Sequence, residues 1–307
     1  MKSLPTRVVI EDESLRDGLQ GEKTQLSVDE KIAFIKGMEA CGVRRIQVGS
    51  FVHPKWVPQM ANTDEVLGKL ERRPDVTYTA LVLNQQGLDR AIGCHLGHLS
   101  MSMSASETHN RKNTNRSSEE ARIHLGEMIK NAKAAGIRVR AGIMTAFGCT
   151  YEGAISPDVV CDIARYYDSL GVHEINLADS TGMGNPRSIH DVVTRVRNIA
   201  SPSIALSLHL HNTRGLGLAN MVAGLEAGVT TFDTSLGGLG GCPFIPGAAG
   251  NIATEDAAYA LDEMGVDSGI SWRDLADLAL AMERKLDHTL PSVMAHLAKR
   301  SGVCTAV

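Results

Sequence analysis

The segment Leu170-Gly171-Val172-His173-Glu174-Ile175-Asn176-Leu177-Ala178-Asp179 decides the fold class. In this segment a stretch of helical periodicity ends, a glycine follows, and an apolar run begins directly after the glycine. This order is typical of a helix that ends in a left-handed residue and leads directly into a strand. The same joint recurs at Cys41-Gly42-Val43, Ala135-Gly136-Ile137 and Ala227-Gly228-Val229. Repetition of one helix-to-strand joint predicts right-handed strand–helix units and a parallel sheet.

The alternation of strand and helix patterns extends along most of the chain. Runs that predict strands lie at 8–15, 45–51, 77–83, 99–104, 139–145, 174–179, 205–211 and 230–235. Segments of helical periodicity lie near 28–41, 62–72, 85–93, 118–135, 157–170, 186–199, 217–227 and 254–264. Eight such units in about 265 residues have the size of a closed (β/α)8 barrel, the TIM barrel. An open doubly wound sheet is the alternative, although no glycine-rich dinucleotide fingerprint follows the first strand.

Helical patterns continue beyond the predicted barrel. Residues 271–303 are predicted to form a C-terminal helical layer with a break at Pro291. No linker rich in proline, glycine or serine precedes this layer. We therefore assign residues 1–307 to a single catalytic domain of the α/β class, with the barrel over 8–265 and additional C-terminal helices.

Composition excludes several classes of protein. The 307 residues are 43% hydrophobic and 21% charged, and the net charge is −4. This balance allows a large core, offers no basic stripe for nucleic acid and contains no apolar run long enough for a membrane span. The six cysteines show no disulfide or zinc spacing, and no export signal is visible. We predict free thiols, a cytoplasmic location and no membrane or nucleic-acid partner, and we expect a homo-oligomer, in particular a dimer.

Reactive residue types gather at the predicted strand ends, where barrel enzymes place their active sites. These residues are Arg16, Asp17, Gln47, Ser50, Asp179, His209 and His211. The tripeptide His209-Leu210-His211 is the sharpest signal, because strand side chains at i and i+2 point to the same face. Both imidazoles can therefore aim at one metal ion. Two histidines satisfied by hydrogen bonds within the core are the alternative.

Asp17 joins this pair only if the barrel closes, because closure brings the first strand next to the eighth. Two imidazoles, a carboxylate and an amide oxygen would leave positions open for water and a chelating substrate. Mixed nitrogen and oxygen ligands suit a divalent metal cation, Mg2+ or Mn2+, with other transition metals possible, and zinc is less favoured without cysteine ligands. A local salt bridge between Arg16 and Asp17 is the alternative reading.

The stretch 237–251 is rich in glycine and contains Cys242 and Asn251. Such a stretch is typical of a loop that closes over a ligand. Cys242 is a candidate acid/base thiol, and Asn251 can supply an oxygen to the cation.

Several motifs together resemble the 3-hydroxy-3-methylglutaryl-CoA lyase family, within the metal-dependent barrel lyases and Claisen-type synthases. They are Leu15-Arg16-Asp17-Gly18-Leu19-Gln20, the run Ser50-Phe51-Val52-His53-Pro54-Lys55-Trp56-Val57-Pro58-Gln59-Met60, Gly148-Cys149-Thr150-Tyr151-Glu152-Gly153, Asp179-Ser180-Thr181-Gly182, His209-Leu210-His211 and the loop ending Gly250-Asn251. The resemblance covers nearly the whole barrel. The serine-to-methionine run and the cysteine loop are its most specific parts.

The resemblance implies a role for each matching residue. The implied metal ligands are Asp17, His209, His211 and Asn251. The implied catalytic residues are Arg16, which stabilises an enolate oxygen, Asp17 or His209 as the base, Cys242 as the acid, and Asp179 as the carboxylate that orients them. The implied substrate-binding residues are Gln20, Gln47 and Ser50.

The chain departs from this family at three places. Gln47 stands where the family usually has glutamate, so a negative charge near the cation is expected to be missing. Asp12-Glu13-Ser14-Leu15 precedes Arg16 where the lyases have Glu-Val-Gly-Pro, and Asn212-Thr213-Arg214 follows His211 in place of Asp-Thr-Tyr. Arg214 is a candidate for binding a further anionic group, or an exposed surface arginine.

We therefore predict a carbon–carbon lyase that cleaves 3-hydroxy-3-methylglutaryl-CoA, or a close 3-hydroxy-3-substituted acyl-CoA, to acetyl-CoA and a 3-oxo acid. A Claisen-type condensing transferase is one alternative, although no long C-terminal regulatory domain follows the barrel. A CoA-independent metal-dependent aldolase fits the metal residues but not the cysteine loop. A binding protein without catalysis would leave the metal residues idle.

Overall fold

In the computed structural model, which describes residues 4–241 and 250–300, parallel strands form a closed barrel in sequence order. The strands are β1 (Val9–Asp12), β2 (Arg45–Ser50), β3 (Thr77–Leu81), β4 (His98–Ser104), β5 (Arg138–Met144), β6 (Glu174–Asp179), β7 (Ala205–Leu210) and β8 (Thr231–Thr234). Closure is direct, because β1 pairs with both β2 and β8. The predicted (β/α)8 barrel is confirmed, and the open doubly wound sheet is wrong.

Helices surround the barrel and cover its apolar strands. They are α1 (Val28–Ala40), α2 (Thr63–Lys69), α3 (Gln85–Gly93), α4 (Glu107–Thr114), α5 (Ser118–Ala134), α6 (Pro157–Ser169), α7 (Pro186–Ile199), α8 (Gly217–Glu226), α9 (Thr254–Glu263), α10 (Trp272–Leu286) and α11 (Val293–Arg300). The sequence pattern does not predict α4, because its polar residues carry no apolar period. Its one local signal is Ser106, whose hydroxyl caps the helix by accepting from His109 N at 3.1 Å. None of the described helices is long and apolar enough to cross a membrane.

The glycine joints that predicted the parallel sheet have the expected conformation. The four glycines of the repeated joint all have positive φ, with 99° at Gly42 and 64° at Gly171. A residue with a Cβ is strained there, which explains why these turns use glycine. Each joint therefore ends one helix and directs the chain into the next strand.

The first strand is shorter than predicted. It ends at Asp12, and Ser14–Gly18 form a single wide helical turn that carries Arg16 and Asp17. These two residues therefore do not close the strand. They lie on a turn above it, from which both side chains reach over the mouth of the barrel.

The C-terminal helices α10 and α11 pack on α9, and α10 also contacts α1. Glu255 on α9 is fully buried and accepts hydrogen bonds from Gly237 N at 3.1 and 3.2 Å. The carboxyl group thus anchors the beginning of the glycine-rich stretch. Of the described cysteines, Cys41, Cys94, Cys149 and Cys161 are free thiols, as predicted.

We expect Glu255→Gln to stabilise the protein more at pH 8.5 than at pH 5.5. Burial raises the pKa of Glu255 to about 8 despite a hydrogen bond from Ser292, and neighbouring Asp256 raises it further. The unfolded carboxyl ionises near pH 4.5, so the wild type loses stability as pH rises from there to about 8. The amide keeps an acceptor for Gly237 and does not ionise.

The measurement is the free energy of unfolding in urea at both pH values. At about 1.4 kcal/mol per pKa unit, the advantage of the variant should grow by roughly 3 kcal/mol between them. Glu263→Gln, at an exposed position on the same helix, is the control and should show no such growth. An advantage that is equal at both pH values would contradict the assignment.

Candidate active site

Asp17, His209 and His211 converge at the mouth of the barrel. All three are buried, and each offers a ligand atom within 4.8 Å of the others. The Nε2 atoms of the two histidines lie 3.0 Å apart, and Asp17 Oδ2 lies 3.5 Å from His211 Nε2 and 3.9 Å from His209 Nε2. Both imidazoles therefore point at one place, as the i, i+2 spacing predicted. His211 lies one residue beyond β7, where it bridges to Asn251.

Asn251 lies against these three residues and offers a candidate oxygen ligand. Its Nδ2 donates to Asp17 Oδ2 at 2.7 Å and to the Leu239 carbonyl at 3.1 Å. These two bonds fix the amide so that Oδ1, which is buried, accepts no hydrogen bond. A buried oxygen without a donor is costly unless a ligand satisfies it. One carboxylate, two imidazoles and one free amide oxygen are ligands that divalent cations accept.

Arg16 is held from three sides. Its Nη1 donates to Asp17 Oδ1 at 2.6 Å, its Nη2 donates to Glu13, and its Nε donates to Gln47 Oε1. The side chain is 13% exposed, so part of the guanidinium still faces the mouth. A planar fork fixed in this way presents a preorganised positive charge.

Gln47 lies beneath Arg16 rather than at the open mouth. It is fully buried on β2, its oxygen accepts from Arg16, and its Nε2 donates to Glu13 Oε1 at 2.9 Å and to Glu11 Oε1 at 3.2 Å. Direct binding of substrate by Gln47 does not agree with this placement, because the side chain has no exposed surface. Gln47 in place of glutamate was expected to leave the site without a negative charge near the cation. The structure places such a charge there nevertheless, on Glu13 in the segment after β1.

Two carboxylates hold His209 from the side opposite the candidate metal position. His209 Nδ1 lies 3.2 Å from Asp233 Oδ2 and 3.4 Å from Glu13 Oε2. Burial alone would lower the pKa of His209, but these two carboxylates and Asp17 outweigh it and raise the pKa to about 10. The same negative field favours a cation at Nε2, and such imidazole–carboxylate pairs commonly orient metal ligands.

The other predicted site residues lie at different depths. Gln20 is exposed, and its Nε2 donates to Asp17 Oδ1 at 2.8 Å, so it remains at the mouth. Asp179 is fully buried at the end of β6, and its Oδ2 accepts from Gly184 N at 3.0 Å. Within the described residues no hydrogen bond joins Asp179 or Ser50 to the two histidines. The orienting contacts on His209 come instead from Glu13 and Asp233. Cys242 lies outside the described residues.

A buried ionic network fills the barrel below this site. Its centre is Arg140 on β5, which is 2% exposed and contacts four carboxylates from three segments of the chain. These partners are Glu11 at 2.7 Å, Glu13 at 3.3 Å, Glu174 at 3.2 Å and Asp233. The sequence pattern did not predict this network. The available signal was a charged residue at an inward position within an otherwise apolar strand.

Gly240 lies directly against two candidate metal ligands. Its φ is +97°, and a Cβ added there would lie 2.6 Å from Asn251 Nδ2 and 3.1 Å from Asp17 Oδ2. Both the backbone conformation and the space therefore require glycine. Gly240 therefore forms part of the wall of the site.

We expect Gly240→Ala to weaken both Mn2+ binding and turnover by roughly 100-fold, because displacing a site group by about 1 Å has effects of that size. Isothermal titration with Mn2+ and steady-state kinetics measure the two effects. Gly21→Ala is the matched control, since a Cβ at Gly21 meets nothing within 4 Å. Unchanged Mn2+ affinity in Gly240→Ala would show that the glycine is not needed for the ligand positions.

Comparison with known proteins shows which family the chain belongs to. Residues 7–281 match the HMGL-like family. The hydroxymethylglutaryl-CoA lyase of Bacillus subtilis is 39% identical over 289 residues, covering 94% of this chain and 96% of the relative. The crystal structure of a Bacillus subtilis HMG-CoA lyase superposes with a TM-score of 0.93 at 38% identity, covering 96% of this chain and 99% of that one.

A second solved relative carries ligands. It is an HMG-CoA lyase from Acinetobacter baumannii in complex with coenzyme A and 3-methylmalate, 38% identical, with a TM-score of 0.91 and coverage of 100% of both chains. The family resemblance inferred from the motifs is therefore confirmed. The chain belongs to the HMGL-like family of carbon–carbon lyases.

Proposed function

We propose that this protein is a divalent-metal-dependent carbon–carbon lyase that cleaves 3-hydroxy-3-methylglutaryl-CoA, or a close 3-hydroxy-3-substituted acyl-CoA, to acetyl-CoA and a 3-oxo acid. The observation that carries the proposal is the convergence of Asp17, His209 and His211 beside Arg16, in a chain that is 39% identical to hydroxymethylglutaryl-CoA lyase. Coenzyme A in the Acinetobacter baumannii relative supports an acyl-CoA substrate.

We assign the metal to Asp17, His209, His211 and Asn251, and Mg2+ or Mn2+ suits these ligands best. When bound, the cation polarises coordinated oxygens and lowers the pKa of a hydroxyl group. The free Oδ1 of Asn251 supports the assignment, because that buried atom otherwise has no donor.

The residues around this position have different roles in the reaction: a base, a group that stabilises negative charge, and an acid. A base, Asp17 or His209, takes the proton of the tertiary hydroxyl, and the hydroxyl oxygen becomes the carbonyl of the 3-oxo acid. The electron pair of the breaking carbon–carbon bond moves into the thioester, forming the enolate of acetyl-CoA. Arg16 stabilises that developing negative charge. An acid, for which Cys242 is the candidate, returns one proton to the enolate carbon.

Fewer residues are assigned to substrate binding than the sequence motifs implied. Gln20 stays at the mouth and is assigned to substrate binding, whereas Gln47 acts beneath Arg16. Ser50 remains a candidate for substrate binding, and Asp179 remains a candidate for the carboxylate that orients the catalytic groups. Arg214 donates to the Thr181 carbonyl at 2.6 Å, which places it next to the Asp179 loop.

The decisive experiment follows acetyl-CoA release. Purified protein with Mg2+ or Mn2+ would be incubated separately with 3-hydroxy-3-methylglutaryl-CoA and with other 3-hydroxy-3-substituted acyl-CoA thioesters. Metal-dependent release from any of them supports the lyase, and relative kcat/KM identifies the preferred substrate. Absence of release from all of them, with condensation of acetyl-CoA onto a 3-oxo acid instead, would assign the chain to the transferases.

Three further properties stay predictions. We expect residues 1–307 to act as one catalytic domain, a homodimer to form in solution, and the protein to reside in the cytoplasm. Sedimentation of the purified protein tests the dimer.

A further inference from the structure

We propose that Glu13 is a positioning residue of this active site and that Gln47 is its neutral partner. The buried carboxylate that orients Arg16 and His209 would then stand after β1, while the neighbouring position on β2 carries no charge. This inference rests on the proposed lyase function, because it concerns how the same site is held.

Glu13 contacts both groups that reach the mouth of the barrel. It is 1% exposed, its Oε2 accepts from Arg16 Nη2, and the same oxygen lies 3.4 Å from His209 Nδ1. Its Oε1 accepts from Gln47 Nε2 at 2.9 Å and lies 3.3 Å from Arg140 Nη1. Asp17 contacts the same two side chains from the metal side, through His209 Nε2. Among the described residues, Glu13 is the one carboxylate that joins the guanidinium of Arg16 to His209 Nδ1.

Gln47 is matched to that carboxylate. Its amide nitrogen donates to Glu13, and its amide oxygen accepts from Arg16 Nε. A carboxylate at position 47, with Glu13 unchanged, would place two buried negative charges in contact, which is strongly unfavourable. The amide at 47 and the carboxylate at 13 therefore form one unit.

The unit can in principle be exchanged. A carboxylate at 47 can accept from Arg16 Nε, and an amide at 13 can donate to that carboxylate while its oxygen accepts from Arg16 Nη2. The exchange keeps the net charge and the contacts of Arg16, and it replaces the hydrogen bond from Gln47 Nε2 to Glu11 Oε1, 3.2 Å long, by a contact between two carboxylates. If Glu13 only filled space, moving its charge to position 47 would not restore the activity lost in Glu13→Gln.

Asp233 does not replace Glu13 in this role. Asp233 also faces His209 Nδ1, but its Oδ2 is shared with Arg140 and with Asn176 Nδ2 at 3.2 Å. Among the described contacts, Asp233 forms neither a hydrogen bond nor an ion pair with Arg16, and acts on it only through its charge at longer range. Loss of the charge at 13 should therefore loosen Arg16 and His209 together.

The test compares Glu13→Gln, Gln47→Glu and the double exchange Glu13→Gln/Gln47→Glu with the wild type. Titration with Mn2+ alone gives the metal affinity, steady-state kinetics separate kcat from KM, and thermal melting reports folding. We expect Glu13→Gln to lower kcat and Mn2+ affinity by about 10- to 100-fold, the range for residues that orient metal ligands. Gln47→Glu should lower the melting temperature and kcat, because its carboxylate would face both Glu13 and Glu11. The double exchange removes the first of these two repulsions and should recover part of both losses.

Glu39→Gln is the matched control. Glu39 is a buried carboxylate on α1, 5% exposed, that accepts from Tyr78 Oη at 2.6 Å away from the site. Its loss should leave Mn2+ affinity and kcat at the wild-type values. Wild-type kcat and Mn2+ affinity in Glu13→Gln would overturn the proposal.

A double exchange that folds but performs no better than Glu13→Gln would also overturn it. If Glu13→Gln fails to fold, the double exchange decides the question, because it carries the wild-type net charge. Failure of the proposed function is a separate result. A wild type without turnover of any acyl-CoA would overturn the lyase assignment, while the Mn2+ affinities of the same proteins would still test Glu13.

Discussion

Asp17→Asn is expected to lower kcat roughly 1000-fold, equivalent to about 4 kcal/mol of transition-state stabilisation, and to remove measurable Mn2+ binding. Asp17 is the one anionic group among the four proposed metal ligands. Its Oδ2 faces both histidines, and its Oδ1 accepts from Arg16 at 2.6 Å. An amide preserves the shape but removes the charge that a hard cation requires.

Asp17→Asn also disturbs the neighbouring ligand. An amide nitrogen at the Oδ2 position would face Asn251 Nδ2, which now donates to that oxygen at 2.7 Å. The measurements are kcat at saturating substrate and titration with Mn2+. Asp64→Asn is the control, because it also removes a carboxylate from an arginine pair, with Arg90, outside the site. Wild-type Mn2+ affinity in Asp17→Asn would contradict the metal assignment.

Arg16→Lys is expected to lower kcat about 100- to 1000-fold and to change Mn2+ affinity far less. Lysine keeps the positive charge, so Glu13 and Asp17 remain compensated. It cannot reproduce the three-sided fork that reaches Glu13, Asp17 and Gln47 at once. A preorganised donor at a developing oxyanion commonly contributes an effect of this size.

The control for Arg16→Lys comes from the same remote pair. Arg90 also forms a two-pronged contact, through Nε at 3.2 Å and through Nη2, with Asp64. Arg90→Lys therefore loses the same kind of fork without touching the site and should leave kcat unchanged. Equal losses of kcat and of Mn2+ affinity in Arg16→Lys would indicate that the residue serves metal binding rather than charge stabilisation.

The parts of this architecture that depend on local chemistry were predictable from sequence. Glycine after a helix end predicted the four joints, because a left-handed residue is needed there and their φ values are positive. The i, i+2 spacing predicted the convergence of His209 and His211, because strand side chains two residues apart point to the same face. Closure of the barrel then brought Asp17 to them.

The parts that depend on register were not predictable. Arg140 meets Glu11, Glu174 and Asp233 only because three other strands have the required stagger in the closed barrel. Sequence periodicity shows which strand residues face inward but not which of them meet. The role of Glu13 was hidden for the same reason, since its contact with Gln47 crosses from one strand to the next.

The seam between β1 and β8 has a consequence for how the chain matures. Asp17 and Asn251, whose side chains are hydrogen-bonded, stand 234 residues apart in sequence. A growing polypeptide therefore cannot assemble the cation site until its last barrel strand and the stretch after it have left the ribosome. A ligand that binds only the folded form stabilises that form by mass action. Cellular Mg2+ or Mn2+ would therefore stabilise the chain only after the barrel has closed.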